Sequence, residues 1–221
     1  MAQRRHHYEQ AFEAHLRAQR VPYVAVDEAR KALLPEAGAM SISVPSLEGG
    51  VTQSSLKSFD FVIYGKPGGP AAHVLAEVKG RRVGKRPSGG RSPEHAANGR
   101  ASVSARRLDS WTTLEDIESL RVWEQLFGPE FRAAFVFVYW CDEVMPDGLF
   151  QESFEHRGRW YAVRAVLVED YARVMRTRSP RWGTVHVPPQ VFERISQPLT
   201  LGPNARLSLA QPDALPLLDT I

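Results

Sequence analysis

Hydrophobic and polar residues alternate along two neighbouring segments near the middle of the chain, residues 59–64 (FDFVIY) and 73–79 (HVLAEVK). The intervening residues 66–70 (KPGGP) favour a turn, so the pattern predicts a β-hairpin. Both segments carry apolar side chains on both faces of the predicted strands. Strands of this kind are covered on both sides, which indicates a layered α/β or α+β sheet.

The predicted hairpin brings charged side chains together at one end. Because successive side chains of a strand point to opposite faces, Glu77 and Lys79 share a face and lie about 7 Å apart. If Tyr64 pairs with His73, the register places Asp60 opposite Glu77. Two carboxylates and an ammonium are costly in an apolar core but useful for holding a divalent cation. This end of the hairpin is therefore the candidate functional site.

Helical and extended patterns surround the hairpin. Apolar residues recur at spacings of three and four in residues 4–20 and again in residues 104–127, where Gly128-Pro129 would end the helix. A buried strand is predicted over residues 133–140. Weaker patterns predict a strand over residues 21–26, a helical piece over 28–34 and a minor strand at Ile42 and Val44.

The C-terminal part of the chain adds further predicted elements. These are a hairpin over residues 150–155 and 160–168, a helix over 169–176 and a helical turn over 191–195. We therefore predict an α/β (α+β) fold with a central mixed β-sheet flanked by helices and a C-terminal hairpin addition. The core domain would span residues 1–176, and residues 177–221 would form an extension packed on the core or trailing from it.

The composition is that of an ordinary globular protein. The chain has 221 residues, of which 43% are hydrophobic and 24% charged, and this length is enough for a sizeable core. Cys141 is the only cysteine, which excludes a disulfide framework and a cysteine-based zinc site. Residues 1–20 lack the apolar centre of a signal peptide and no apolar run approaches a membrane span. We therefore expect a cytoplasmic protein without a membrane partner.

Positive charge is concentrated in residues 80–107, predicted to form a basic loop that begins just after Lys79. The whole chain is mildly basic, with a net charge of +3 and a pI near 9.2, which permits nucleic-acid binding without requiring it. A basic loop can be a solvated surface, or it can neutralise phosphates beside a cleavage site. Under the second interpretation the nucleic-acid-binding residues are Arg81, Arg82, Lys85, Arg86, Arg106 and Arg107.

Other chemistries lack their sequence patterns in this chain. There is no Gly-rich phosphate loop ending in Lys-Ser/Thr, no G-x-S-x-G elbow and no H-E-x-x-H zinc motif. Trp111 and Trp123 are expected in the core. A second basic cluster is expected on the solvated surface and consists of Arg173, Arg176, Arg178 and Arg181.

Asp60 on one predicted strand and Glu77-Val78-Lys79 on the next resemble the motif of the PD-(D/E)xK phosphodiesterase superfamily, the restriction-endonuclease-like enzymes. The resemblance covers about residues 5–140, where the predicted order of helix, three strands, helix and strand is that of the superfamily's αβββαβ core. Phe59 stands where the motif has its proline. The resemblance implies a restriction-endonuclease-like core and hydrolysis of DNA that depends on Mg²⁺, with Mn²⁺ as a substitute.

The resemblance also implies a role for each residue of the motif. Asp60, Glu77 and the Val78 backbone carbonyl would bind the metal, and Lys79 would position or activate the attacking water. Glu9, on the first predicted helix, would hold a metal-bound water or a second ion. The alternative for Glu9 is an ion pair with nearby arginines on a solvated helix.

Residues 7–13 (HYEQAFE) also match the pattern HYExAFE, which names an uncharacterised bacterial protein family. This resemblance covers most of the chain and is the closer one, but it implies no activity. Two alternatives to an enzyme stay open: a catalytically inactive nucleic-acid-binding module of the same fold, and a structural protein whose Asp-Glu-Lys cluster is a buried ion pair. The sequence is also compatible with a homodimer.

Overall fold

A six-stranded mixed β-sheet forms the centre of the computed structural model, which describes residues 7–26, 41–45, 51–65, 73–83, 108–141 and 153–197. The strands in chain order are β1 (Tyr23–Ala25), β2 (Ser41–Pro45), β3 (Val51–Ser55), β4 (Phe61–Tyr64), β5 (His73–Arg82), β6 (Thr112–Thr113), β7 (Phe131–Trp140), β8 (Ser153–His156), β9 (Arg159–Leu167), β10 (Arg176–Ser179) and β11 (Thr184–His186). The large sheet has the order β1-β4-β5-β7-β9-β8, in which only β5 and β7 are parallel neighbours.

Four α-helices are present in the described ranges: α1 (His7–Ala18), α2 (Leu114–Phe127), α3 (Val168–Val174) and α4 (Pro189–Ile195). None of these four is both long enough and apolar enough to span a membrane. Helices cover the mixed sheet, so the predicted mixed α/β architecture is confirmed. The helical piece predicted over residues 28–34 lies outside the described residues.

The large sheet is buried on both faces, as the apolar pattern of the hairpin predicts. On one face Val74, Ala76 and Val78 of β5 pack against α1 through Phe12 and Leu16. The other face packs against α2, α3 and α4, and its buried residues include Leu75, Phe135, Phe137, Ile117, Tyr171 and Phe192. Glu77 and Lys79 alternate with Val78, so they belong to this second face, and the Lys79 ammonium lies 6.0 Å from the centre of the Phe135 ring.

The register of the central hairpin is the predicted one. Tyr64 pairs with His73, and the ladder continues until Phe61 pairs with Ala76. The alternation along residues 59–64 also predicts that Phe59 shares a face with Phe61, and this prediction is wrong. The chain bends at Asp60, and Phe59 packs instead against Trp123 and Phe127 of α2, with ring centroids 5.5 and 5.8 Å away.

Helix α2 begins later than the sequence pattern predicts. Residues 108–111 are not helical, Thr112 and Thr113 form β6, and the first helical residue is Leu114 rather than Ser104. The cause is a capping box: the Thr113 side chain accepts a hydrogen bond from the Asp116 N–H, and the Asp116 side chain accepts one from the Thr113 N–H. The hydrophobic periodicity of this segment therefore extends beyond the helix, while the cap fixes its true start.

Strand β5 also extends further than predicted. It pairs with β7 residue for residue up to Arg82 opposite Trp140, and the Val83 N–H donates to the Trp140 carbonyl at 2.9 Å. Arg81 and Arg82 are therefore strand residues, and the expected loop start at residue 80 is wrong. The parallel ladder with β7 holds these residues in extended backbone. The other four predicted nucleic-acid-binding residues, Lys85, Arg86, Arg106 and Arg107, lie outside the described residues.

Residues 153–197 pack onto the core. The β8–β9 hairpin is confirmed, and it turns at Arg157 and Gly158, both with positive φ. Strand β10 begins the small sheet β10-β11-β6, which joins residues 176–186 to the segment before α2. Phe192 of α4 is fully buried in the core. The minor strand at Ile42 and Val44 is confirmed as β2, and its partner is β3.

Candidate active site

The ammonium of Lys79 lies between two carboxylates on the α2 face of the sheet. Its Nζ is 2.9 Å from Glu77 Oε1 and 2.7 Å from Asp116 Oδ2. All three side chains are largely buried, with exposed fractions of 15% for Lys79, 17% for Glu77 and 10% for Asp116. Strand alternation places Glu77 beside Lys79, as predicted. The sequence analysis did not identify Asp116.

Asp60, the residue immediately before β4, also belongs to this cluster. Its Oδ2 accepts a hydrogen bond from the Val78 N–H at 2.7 Å, and its own N–H donates to the Ala76 carbonyl at 3.0 Å. The Asp60 side chain thus adds a hydrogen bond between the two chain segments beyond Phe61 and Ala76, the last residue pair of β4 and β5. Because the N–H and C=O of one strand residue face the same neighbour, the Val78 carbonyl lies on the Asp60 side of β5. The hairpin therefore brings together Asp60, Glu77, Lys79 and the Val78 carbonyl.

Asp116 is held in place by the start of α2. Its Oδ2 accepts hydrogen bonds from Thr112 Oγ1 at 2.9 Å and from the Thr113 N–H at 3.3 Å. Its Oδ1 lies 3.3 Å from the ammonium of Lys57, whose side chain is 41% exposed. The sequence Thr113-Leu114-Glu115-Asp116 carries the spacing of a capping box, so this residue could have been placed at a helix start. The contact between Asp116 and Lys79 could not have been predicted from this spacing.

The surroundings of the cluster raise the pKa values of Glu77 and Lys79 and lower the pKa of Asp116. Burial, reinforced by the neighbouring Asp60 carboxylate, raises the pKa of Glu77 to about 8, and Lys79 offsets this only in part. Burial by itself would lower the pKa of Lys79, but Glu77 and Asp116 raise it above its ordinary value. Burial would raise the pKa of Asp116, but Lys79, Thr113 and Lys57 together hold it well below its usual range. Lys79 therefore stays charged at neutral pH.

The donor atoms of the cluster suit a hard divalent cation. Asp60, Glu77 and the Val78 carbonyl supply oxygen ligands, which Mg²⁺ and Mn²⁺ prefer. Oε2 of Glu77 accepts no hydrogen bond from any residue that the structure describes. The close approach of Asp60 and Glu77 is repulsive when both are ionised, and a cation would neutralise it. In the same part of the chain, no three or more His, Cys, Asp or Glu side chains are grouped as a ready-made metal cluster.

Glu9 lies in the first turn of α1 and is partly buried. Helix α1 packs on the Val78 face of the sheet, opposite to Glu77 and Lys79. Near Glu9, the ring of Tyr8 lies directly against Gly80, so closely that a Cβ on Gly80 would overlap the ring. The first turn of α1 is therefore close to β5 next to Lys79, but on the other side of the sheet.

Arg81 and Arg82, predicted to contact phosphates, are both placed over tryptophan rings. The Arg81 guanidinium is 4.2 Å from the centre of the Trp111 ring and donates to the carbonyls of Gly80, at 2.7 Å, and Trp111. Burial lowers the pKa of Arg81. The Arg82 guanidinium is 4.6 Å from the centre of the Trp140 ring.

Of the two tryptophans predicted to lie in the core, Trp123 packs against it and Trp111 does not. Trp123 packs against the buried cluster on the α2 face, and its Nε1 donates to the Lys57 carbonyl at 2.7 Å, so its prediction is confirmed. Trp111 is partly exposed and belongs to neither core cluster, so the prediction was wrong for this residue. It lies just before β6, where the chain crosses the edge of the core on its way to α2.

Comparison of the chain with known protein families, with curated proteins and with solved structures found no match.

Proposed function

We propose that this protein is a metal-dependent phosphodiesterase of the PD-(D/E)xK type that cleaves DNA. The observation that carries the proposal is the convergence of Asp60, Glu77 and Lys79, with the Val78 N–H bound to Asp60 at 2.7 Å. The elements α1, β1, β4, β5, α2 and β7 occur in the order that the resemblance implies for an αβββαβ core, with β2, β3 and β6 as additional strands between them. That order supports the proposal.

Asp60, Glu77 and the Val78 carbonyl would hold Mg²⁺, or Mn²⁺ as a substitute. A divalent ion bound there supplies Lewis-acid stabilisation of phosphate charge and a more acidic water. Because the pKa of Glu77 is raised to about 8, much of Glu77 carries a proton at neutral pH in the metal-free protein. Ion binding would therefore release that proton, and affinity would increase with pH up to about 8.

Lys79 would act as a fixed positive charge beside the scissile phosphate. Its raised pKa makes it a poor proton acceptor at neutral pH, so electrostatic stabilisation suits it better than abstraction of a proton from water. Asp116 would position the ammonium by its 2.7 Å contact and by its own bonds to Thr112 and Thr113. Asp116 is thus a positioning residue in this proposal.

Glu9 and the basic residues complete the proposed site. For Glu9 to hold a metal-bound water, its side chain would have to reach the cluster from the α1 face of the sheet, opposite to Glu77 and Lys79. Phosphate contacts are proposed for the basic residues near the end of β5 and before β6, namely Arg81, Arg82, Lys85, Arg86, Arg106 and Arg107.

A structural ion pair is the second candidate, and a specific observation favours it. Lys79 is bound to two carboxylates, and one of them, Asp116, also closes the capping box of α2. A cluster with this connectivity joins β5 to α2 whether or not it has a chemical role. The two candidates differ in what happens when Lys79 is removed.

The test is a plasmid and oligonucleotide cleavage assay in Mg²⁺ and in Mn²⁺, paired with thermal melts, on wild type, Lys79→Ala and Lys57→Ala. Lys57 is the matched control because it also contacts Asp116 but is more exposed. We expect wild-type cleavage, a loss of at least about 100-fold in Lys79→Ala, and a loss below about threefold in Lys57→Ala. A wild type that cleaves no substrate, with a melting temperature strongly lowered in Lys79→Ala, supports the structural candidate and overturns the enzyme. Metal-independent DNA binding without cleavage supports an inactive binding module.

A further inference from the structure

Two arginines cover the ring of Trp111 beside the candidate active site. The Arg81 guanidinium is 4.2 Å from the ring centre, and that of Arg178, on β10, is 5.4 Å away. Arg81 is two residues after Lys79 on β5, so the two side chains leave the same face of the strand. Trp111 thereby connects the candidate active site to the exposed strand β10.

Trp182 is the most exposed large apolar side chain among the described residues, with 71% of its surface accessible. It lies in the 3-10 turn Pro180–Trp182, and the Arg181 guanidinium is 5.3 Å from its ring centre. This turn is fixed against α2, because the Leu114 N–H donates to the Gly183 carbonyl at 2.8 Å. Leu114 is the first residue of the helix that positions Asp116. The turn that carries the exposed ring is therefore joined to the start of the helix that positions Asp116.

Three arginines of this region have no ion-pair partner among the described residues. Arg176, Arg178 and Arg181 are exposed, and none of them makes an ion pair within the part of the chain that the structure describes. Arg173, the fourth member of the same basic cluster, pairs with Asp170 at 3.1 Å and with a second carboxylate on α3. Within the described residues, the ion pairs of this basic cluster therefore lie at Arg173, and the members that lead to Trp182 make none.

A small cavity adjoins Arg178. Its volume is about 250 Å³, and its wall includes Asp109, Arg178, His186 and Pro189. Nδ1 of His186 is buried and has no hydrogen-bond partner among the described residues. The volume is below the roughly 300–1,000 Å³ of typical small-molecule sites, so the cavity suits a single nucleotide unit better than a larger ligand.

We infer that the surface formed by Arg81, Trp111, Arg178, Arg181 and Trp182, the arginine–tryptophan surface, binds a single-stranded segment of DNA that leads to the Asp60–Glu77–Lys79 cluster. Its location beside the cluster has functional meaning only if the proposed function holds. Arg178 and Arg181 contact phosphates, and one base stacks on Trp182. The cavity beside Arg178 receives the neighbouring nucleotide.

The exposed ring favours a single strand over a duplex. A base can stack on an aromatic side chain only when its own face is uncovered, which the stacked pairs of a duplex do not allow. Trp111 cannot serve as the platform because Arg81 and Arg178 already cover it. Trp182 is 71% accessible although the Arg181 guanidinium lies over its ring, 5.3 Å from the ring centre. It therefore combines an accessible aromatic ring with an arginine, as sequence-tolerant single-strand binding does.

The test measures fluorescence anisotropy of a labelled 12-nucleotide oligothymidine and of a duplex of equal length, in EDTA, at several salt concentrations. The proteins are wild type, Trp182→Ala, Trp182→Phe, the double variant Arg178→Ala/Arg181→Ala, and Leu126→Ala as a matched control. Leu126 is also an exposed apolar residue, 56% accessible, at the far end of α2. Working without metal separates binding from cleavage.

We expect the wild type to prefer the single strand and Trp182→Ala to bind it about tenfold more weakly, with most of the loss restored in Trp182→Phe. The double arginine variant should flatten the slope of log K against log salt by about 1.4, since each single-strand phosphate contact contributes about 0.7. Leu126→Ala should bind like wild type. Preference for the duplex, no binding by the wild type, or equal affinity of Trp182→Ala and Leu126→Ala would each overturn the inference. If the wild type cleaves DNA but its affinity does not depend on Trp182, the inference is wrong and the proposed function is unaffected. If binding depends on Trp182 but the wild type cleaves no DNA, the proposed function is wrong and the binding surface is supported.

Discussion

The carboxylate of Asp116 lies 2.7 Å from the ammonium of Lys79, although 37 positions of the chain separate the two residues. This contact ties the start of α2 to the middle of β5. It also fixes the direction in which the Lys79 ammonium points, between Asp116 and Glu77. The stability of the fold and the geometry of the proposed site therefore depend on the same carboxylate.

Replacing Asp116 with asparagine should destabilise the protein far more than removing the carboxylate next to it. Asp116→Asn removes one of the two negative charges that contact the largely buried Lys79 ammonium, and we expect a loss of roughly 2–4 kcal/mol in the free energy of unfolding. Glu115→Gln removes only the ion pair with Lys57, in which both side chains are more than 40% exposed, and should cost less than about 1 kcal/mol. Urea denaturation of both variants measures the difference. Equal losses would show that the Lys79–Asp116 contact adds nothing.

Magnesium should raise the melting temperature of the wild type, and Asp60→Asn should abolish most of that response. Binding to the native state stabilises it by RT ln(1 + [L]/Kd), so the gain grows with ion concentration. Asparagine keeps an oxygen that can accept the Val78 hydrogen bond, so the fold should persist while the negative charge is lost. Differential scanning fluorimetry from 0.1 to 20 mM Mg²⁺ checks this, with Asp116→Asn as the comparison, which should keep the response. A flat wild-type profile over the series counts against the metal site.

Stability should decrease as the pH rises from about 4.5 to about 8, by up to roughly 1.4 kcal/mol per pH unit from Glu77. In that window Glu77 is protonated in the native state and ionised in the unfolded state, so the native state binds more protons and the slope is negative. Asp116 acts with the opposite sign in a separate window: its lowered pKa contributes stability that is lost as the pH falls below about 4. Urea denaturation at pH 5.5, 6.5, 7.5 and 8.5 should show the decline in wild type and a weaker one in Glu77→Gln. Parallel pH profiles would disprove the shift of Glu77.

Gly80 should not tolerate a side chain. A Cβ at this position would overlap the ring of Tyr8, which is held between α1 and β5, so Gly80→Ala should cost about 1–3 kcal/mol. In a Tyr8→Ala background the ring is absent, and the same Gly80→Ala change should cost much less. A double-mutant cycle by urea denaturation gives the coupling between the two positions. Additive effects would show that the ring can move aside.

Local pattern determined the directions of side chains within single elements. The period of two along residues 73–79 placed Glu77 and Lys79 on one face, and the turn residues after Tyr64 fixed the register that brings Asp60 beside them. These features depend only on neighbours along the strand or across one hairpin. For that reason the mixed sheet, its double-sided burial and the Asp60–Glu77–Lys79 grouping could be predicted.

Contacts between distant elements were decided by tertiary packing alone. The sequence contains the capping box at Thr113 and Asp116, but nothing in it states that the start of α2 lies over Lys79. The same holds for Trp111, whose hydrophobic character indicates burial, whereas the packing of β5 and β10 places an arginine on it from each strand. Pattern specifies which way a side chain points within its own element. Which remote group it meets depends on how the helices and strands pack against one another, and only the three-dimensional structure contains that information.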